Sequence, residues 1–223
     1  MFKSFAFYSD GHGTLPEINN CDYFLYCGDI FPDFDYVPRS VDNIFGQNSW
    51  FLDKFIPYLK NLPVEKCILV GGNHDYLLER LGENTVNEIL HSYLGEKAIY
   101  LCNSGCQLGS FKVWGVPTVR NLPQFSFNIS SDENEAAILS IIPDDINILM
   151  THSPAYGMMD FLPAINSNAG SVAVSALVDR LKKNLLVHQF GHIHEGKGSV
   201  SLDGITYINS SCEVIYKSLR TLF

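Results

Sequence analysis

The chain has 223 residues, 46% of them hydrophobic and 13% aromatic, enough for one core of ordinary size and too few for two large domains. With 15 Lys and Arg against 24 Asp and Glu, the formal net charge is −9, which excludes a generic polyanion or anionic-membrane binder. Its 17 Gly and 10 Pro are ordinary and its aromatics abundant, which excludes disordered and collagen-like chains, so one domain over residues 1–223 is expected.

Phe2–Tyr8 and Tyr23–Cys27 read as buried strands, each followed by an aspartate. Ser49–Asn61 places Phe51, Phe55, Ile56, Tyr58 and Leu59 at helical spacing. Lys66–Val70 is a third apolar strand, ended by Gly71-Gly72, and Tyr76–Leu81 and Asn84–Leu94 follow as helices. From Ala98 the texture becomes β-like, in Ala98–Cys102, Gln107–Leu108 and Phe111–Trp114. A Ser131/Asp132 cap signal opens a helix over Asp132–Ile142, Ile146–Met150 is a short buried strand, and Ser171–Asn184 is a second amphipathic helix. Leu185–Phe190, Ser199–Ser201 and Ile205–Ile208 are strands, the last two joined by Asp203-Gly204 as a hairpin turn. This alternation predicts an α/β protein with mixed sheets.

Met1–Asp10 is not a signal-peptide pattern, and no window approaches the roughly 18 apolar residues of a membrane helix, so a soluble cytoplasmic protein is expected. The six cysteines do not form a disulfide framework; Cys102 and Cys106 are the only close pair, and no second pair matches them as a zinc ribbon requires.

The informative residues are the histidines. Five of the seven lie in short polar segments at strand ends: Asp10-Gly-His12, Gly72-Asn-His-Asp75, Thr151-His-Ser-Pro154 and Gly191-His-Ile-His194, with Gly28-Asp29 completing the set. Any one of these histidines alone reads more readily as a capping or core residue than as a ligand. Together, five imidazoles and several carboxylates in one crevice require a compensating cation. Imidazole and carboxylate without thiolate suit Mn, Fe or Zn, and more ligands than one ion needs point to a pair of metals, the arrangement that hydrolyses phosphate esters.

The ordered set Asp-x-His, Gly-Asp, Gly-Asn-His-Asp, His and Gly-His-x-His resembles the calcineurin-like metallophosphoesterase superfamily, from position 10 to position 194. Val113-Trp-Gly-Val-Pro117, Leu149–Gly157, Phe190–Gly196 and Ile208–Cys212 are similar to its metallophosphoesterase-domain-containing branch. The resemblance implies a four-layer α-β-β-α sandwich with two mixed β-sheets. It implies two divalent ions, manganese foremost with Fe, Zn or Mg as substitutes. One would be held by Asp10, His12 and His194, the other by Asn73, His152 and His192, with Asp29 bridging both. A hydroxide shared by the ions would attack phosphorus in line, His74 would serve the leaving group as general acid, and Asp75 would orient the His74 ring. The expected activity is hydrolysis of a small-molecule phosphoester, a phosphodiester foremost, with no nucleic-acid or membrane partner.

Gly13-Thr14 stands where many relatives carry Asn or Arg, and Arg120 is a candidate substrate contact set against a plain solvated loop arginine. Gly191–Lys197 nearly spells a phosphate-binding loop, but Gly198 replaces its Ser/Thr and a hairpin follows instead of a helix. His91 is expected at the surface and His188 in the core near the site. Two readings of other classes stand beside the enzyme: a scaffold on a degenerate fold, which the intact ligand blocks oppose, and a nuclease, which the lack of clustered Lys and Arg opposes.

Overall fold

The computed structural model describes residues 1–222. Its elements in order are β1 (Phe2–Tyr8), β2 (Cys21–Cys27), α1 (Val41–Trp50), α2 (Ile56–Asn61), β3 (Val64–Val70), α3 (Tyr76–Leu94), β4 (Ala98–Leu101), β5 (Ser104–Leu108), β6 (Phe111–Val116), β7 (Val119–Arg120), β8 (Asn128–Ile129), α4 (Asp132–Ser140), β9 (Ile148–Thr151), β10 (Phe161–Leu162), β11 (Ser167–Asn168), α5 (Val172–Leu181), β12 (Val187–Phe190), β13 (Gly198–Leu202), β14 (Ile205–Asn209) and β15 (Ile215–Arg220).

Strands buried on both faces read as continuous apolar runs, and β1 to β3 show why. Phe5 and Phe7, Leu25 and Cys27, and Ile68 and Val70 face the second sheet, whereas Ala6 and Tyr8, Phe24 and Tyr26, and Cys67 and Leu69 face helices. The first sheet has order β15-β1-β2-β3-β4, parallel throughout except for the β15 edge, which runs antiparallel to β1. The second has order β13-β14-β12-β9-β6-β5, with a parallel centre and an antiparallel strand at each edge.

Between the sheets, Phe5, Phe7 and Leu25 pack with Phe111, Val113, Ile148, Met150 and Val187. Phe51, Phe55, Leu59, Leu77 and Leu90 cover the outer face of the first sheet, and Leu139, Val174, Leu177 and Leu181 that of the second. The result is the four-layer α-β-β-α sandwich with two mixed sheets.

Two local readings are amended and a third holds. The helix expected from Ser49 begins at Val41 and continues through a π-helical turn, Phe51–Phe55, into α2. Its first turns escape the apolar pattern because their buried residues are Asn43 and Gln47, while Val41 and Phe45 are exposed. The strand β15 is additional: Ile215 and Leu219 pack against the inter-sheet core, but Lys217 between them breaks the alternation. The split of 76–94 into two helices is present as a break at Gly82, where φ is 74°.

Asp203 and Gly204 both take positive φ, as the tight hairpin between β13 and β14 requires. Residues 198–202 form a strand, so the near phosphate-binding loop has no helix behind it. Cys102 and Cys106 are free thiols, and no helix among the described residues is long and apolar enough to cross a membrane.

Candidate active site and metal centre

Parallel strands end on the same side of a sheet, and loops leaving those ends project side chains into a common crevice. Here Asp10 follows β1, Asp29 follows β2, Asn73 and His74 follow β3, His152 follows β9, and His192 follows β12. The two sheets deliver them to one place. His152 Nε2, from the second sheet, lies 3.4 Å from Asp29 Oδ2 and 3.1 Å from Asn73 Oδ1, both from the first.

The loops turn sharply to do this. Asp10, His12, Asp29 and His192 have φ of 54°, 44°, 51° and 66°, left-handed backbone that costs a non-glycine residue about 1 kcal/mol or more. Hydrogen bonds hold them there: Asp10 N–H donates to Gly28 O (2.9 Å), His12 N–H to Asp29 O (3.0 Å), and His192 N–H to the Asp10 carboxylate (3.0 Å). Gly28 supplies closeness as well as freedom: φ is 93°, and a Cβ there would run into the His152 ring.

Three groups of donors result, each with donor atoms within 4.8 Å of one another: Asp10, His12 and His194; Asp29, His152 and His192; and, between them, His12, Asp29 and His74. Asp29 belongs to the second and third and faces His12 of the first. Its Oδ2 stands 3.7 Å from His12 Nε2 and 3.4 Å from His152 Nε2, while its Oδ1 accepts from the His74 backbone N–H at 2.8 Å. His152 Nδ1 lies 3.0 Å from Cys27 O, a group that only accepts, so Nδ1 carries a proton and Nε2 is the nitrogen turned toward Asp29 and the crevice.

Electrostatics test whether these residues fit a metal. Burial pushes the Asp10 and Asp29 carboxyls up, but neighbouring imidazoles outweigh it and hold both below the ordinary range. Burial pushes His152 down, yet Asp29 and Asp10 carry it up to about 9. His192 is driven down to about 4, by burial first and by the neighbouring His152 charge second, and so stays neutral. The two buried carboxylates thus raise His152 and His194, while burial holds His12 and His192 below the ordinary imidazole range and Asn73 adds a carboxamide oxygen. Carboxylate, carboxamide and imidazole donors without thiolate fit divalent first-row ions.

One catalytic role is corrected. Asp75 does not orient His74. It is fully buried, and its carboxylate accepts from the backbone N–H groups of Ile30 (2.8 Å), Phe31 (2.9 Å) and Gly72 (2.7 Å), clamping the Asp29 loop to the end of β3. The partner of the His74 ring is Asp33, with Nδ1 to Oδ2 at 2.7 Å. The adjacent Asp75 side chain turns inward to the amides, and the Asp29 loop carries Asp33 around to the ring.

Three supports of Asp10 carry no role from sequence alone, although two lie in the Ile208–Cys212 segment: Ser9 Oγ at 2.6 Å and Ser211 Oγ at 2.9 Å from Oδ2, and Cys212 Sγ at 3.1 Å from its backbone oxygen. Ser9 adjoins Asp10 and Ser211 follows β14, the parallel neighbour of β12, so strand-end position was the available signal. Arg120 pairs with Asp132 and lies 3.8 Å from the buried Glu135, lining a cavity of about 60 Å³ beside His192 with Asn121, Ser153 and Ser171. His91 is exposed beside Glu96, and His188 is fully buried in β12.

The chain is 28% identical over 185 residues to human metallophosphoesterase domain-containing protein 1, an alignment covering 75% of this chain and 56% of that one. It therefore spans little more than half the length of that relative. Among solved structures it is similar to a Thermus thermophilus protein, with TM-score 0.58 and 14% identity over 94% of this chain and 89% of the other. It is also similar to a dimetal phosphatase from Danio rerio, with TM-score 0.50 and 14% identity over 93% and 86% of the two chains. At such identities these structures speak for the fold alone. Residues 6–196 match the calcineurin-like phosphoesterase family, and with the fold and the ordered ligand blocks in place, the chain belongs to that family.

Proposed function

We propose that this protein hydrolyses phosphoric esters with two divalent metal ions, manganese foremost, and that its substrate is a small-molecule phosphodiester. The observation that carries the reading is Asp29, whose Oδ2 faces His12 on one side and His152 on the other. Asp10, His12 and His194 would hold one ion, Asn73, His152 and His192 the other, and Asp29 both. Bound there, such ions supply Lewis acidity toward phosphoryl oxygens and ionise a water near neutral pH.

The protein's own groups do the rest. His74 donates through Nδ1–H to Asp33, which fixes the ring and leaves Nε2 for the leaving-group oxygen. Burial draws the His74 proton affinity down, but the Asp33 bond and the Asp29 charge raise it above the usual imidazole value, so the ring keeps a proton to give. Phe125, its ring 5.0 Å from His74, forms an apolar wall on the same side. Diester preference follows from charge. Arg120, beside His192, is engaged by Asp132 and Glu135, which suits a monoanion better than a monoester dianion. Free cysteines throughout the described residues support a reducing compartment, the cytoplasm.

The test is a kinetic panel on Mn²⁺-loaded protein. An aryl phosphodiester should be hydrolysed with a higher kcat/KM than the matching monoester, and DNA should be neither bound in a salt-dependent way nor cut. Monoester preference would overturn the diester assignment, and inactivity toward every ester would favour a scaffold.

A further inference from the structure

His188 is a fully buried histidine in β12 that takes no part in the ligand groups. Its ring lies against Phe190 and Tyr207, centroids 4.9 and 6.0 Å away, where an aliphatic side chain would pack as well. Its single polar contact is Nε2 to Thr151 Oγ1 at 2.7 Å, and its Nδ1 has no partner. The same Thr151 hydroxyl lies 2.6 Å from Ser153 O.

Proton counting fixes the direction of this chain. A carbonyl oxygen only accepts, and two oxygens 2.6 Å apart need a proton between them, so the Thr151 O–H donates to Ser153 O. Thr151 Oγ1 must then accept from His188, which therefore carries its hydrogen on Nε2. The orphan Nδ1 is the consequence: it is the bare lone pair of a ring that burial keeps neutral.

Thr151 and Ser153 flank His152, so the chain from His188 through Thr151 to Ser153 O ties together the residues on either side of that ligand. The His152 backbone is held at both of its groups as well: its N–H donates to Val116 O and its O accepts from Gly191 N–H, both at 3.0 Å. Ser153 also lines the small cavity beside His192.

We infer that His188 is a positioning residue for the metal centre: through Thr151 it fixes the turn at 151–153 and so the direction in which His152 presents Nε2 to Asp29 and Asn73. This rests on the metal reading above and deepens it, by assigning a supporting role to a buried residue that touches none of the ligand side chains and acts on the His152 turn alone. The chemistry is that of an outer hydrogen bond behind a ligand, whose loss typically weakens metal binding about 10- to 100-fold.

The experiment measures Mn²⁺ affinity by calorimetry on metal-free wild type, His188→Met, His188→Gln and Thr151→Val, with thermal unfolding of each metal-free protein alongside. Met keeps bulk without a donor, and Gln places an N–H near the Nε2 position. His188→Met and Thr151→Val should each bind one Mn²⁺ equivalent at least about 10-fold more weakly while the other is unchanged, and His188→Gln should recover most of the loss. A change in unfolding temperature alone, with both affinities as in wild type, overturns the inference. So does a His188→Gln variant as weak as His188→Met, which would make the effect one of packing. If His188→Met does not fold, Thr151→Val carries the same comparison. Wild type that takes up no Mn²⁺ overturns the metal reading and this one with it, whereas normal binding by wild type and variants alike overturns this one only.

Discussion

Asp33 and Asp75 both lie near His74, and the structure gives them opposite work, so exchanging each for its amide should produce opposite defects. In Asp75→Asn the amide oxygen can keep the Ile30 and Phe31 bonds, but the NH₂ group then meets the Gly72 N–H, which in wild type lies 2.7 Å from Oδ2. A buried donor left facing a donor costs about 1–3 kcal/mol, and since burial and the Asp29 charge raise the Asp75 carboxyl to about 7, lost charge assistance adds little, so a loss of about 2 kcal/mol is expected. Against a total stability of about 5–15 kcal/mol that is a large fraction. Asp33→Asn, by contrast, alters a half-exposed side chain and breaks only the charged bond to the His74 ring, so stability should change by less than about 0.5 kcal/mol. Its cost should fall on turnover, about 10- to 100-fold in kcat with KM little changed. Urea unfolding and steady-state hydrolysis of an aryl phosphodiester read the two effects on the same preparations. The reasoning is refuted if Asp75→Asn unfolds at the wild-type midpoint but loses turnover, or if Asp33→Asn turns over at the wild-type rate.

His74→Ala should lower kcat by about 100-fold or more with metal content unchanged by elemental analysis; full activity would remove His74 from the chemistry. Gly28→Ala forces a side chain into the His152 ring at a φ of 93°, and should cost at least about 2 kcal/mol in urea unfolding together with metal affinity. A last outcome concerns pH. Burial raises the Asp22 carboxyl, but Lys3 at 2.6 Å and Ser4 bring it down to about 2. Because its folded value is depressed, its stabilisation is complete above the unfolded carboxylate value near 4 and is lost as pH falls through about 2. Surface screening limits the effect to about 1 kcal/mol, which should vanish from the acid limb of the stability curve in Asp22→Asn.

The parts of this fold that the sequence announces are those where one physical pattern acts alone. In Phe5–Tyr8, Tyr23–Cys27 and Cys67–Val70, the later parts of β1 to β3, both faces are buried, so the apolar run is unbroken and its end is marked by the ligand that follows. Helix α4 starts at Ser131, whose side chain accepts from the N–H group of Asn134, as its cap signal predicts, and α5 starts at Ser171, whose side chain accepts from that of Val174. Where a polar residue serves the interior, the pattern inverts. Asn43 and Gln47 are buried because they bond loop carbonyls at Asp35, Val37 and His74, so the first turns of α1 look like loop.

The same distinction separates the site residues. The ligand candidates were legible because five histidines at strand ends are improbable without a shared purpose. Their supports were not. Ser9, Ser211, Asp33 and Asp75 are ordinary residue types whose roles depend on which donors the folded loops bring within hydrogen-bond reach, and that is set by tertiary structure. Adjacency misled in the case of Asp75: next to His74 in sequence, it points the other way.

The measurement that bears most directly on the central claim is metal stoichiometry in wild type and Asp29→Asn, made on protein stripped of metal and reloaded with Mn²⁺. Wild type should hold about two ions per chain, and Asp29→Asn, deprived of the carboxylate that faces both His12 and His152, should lose both ions or retain one weakly, with turnover of the phosphodiester falling in step. A wild type that binds a single ion, or an Asp29→Asn that holds two as tightly as wild type, would contradict the account.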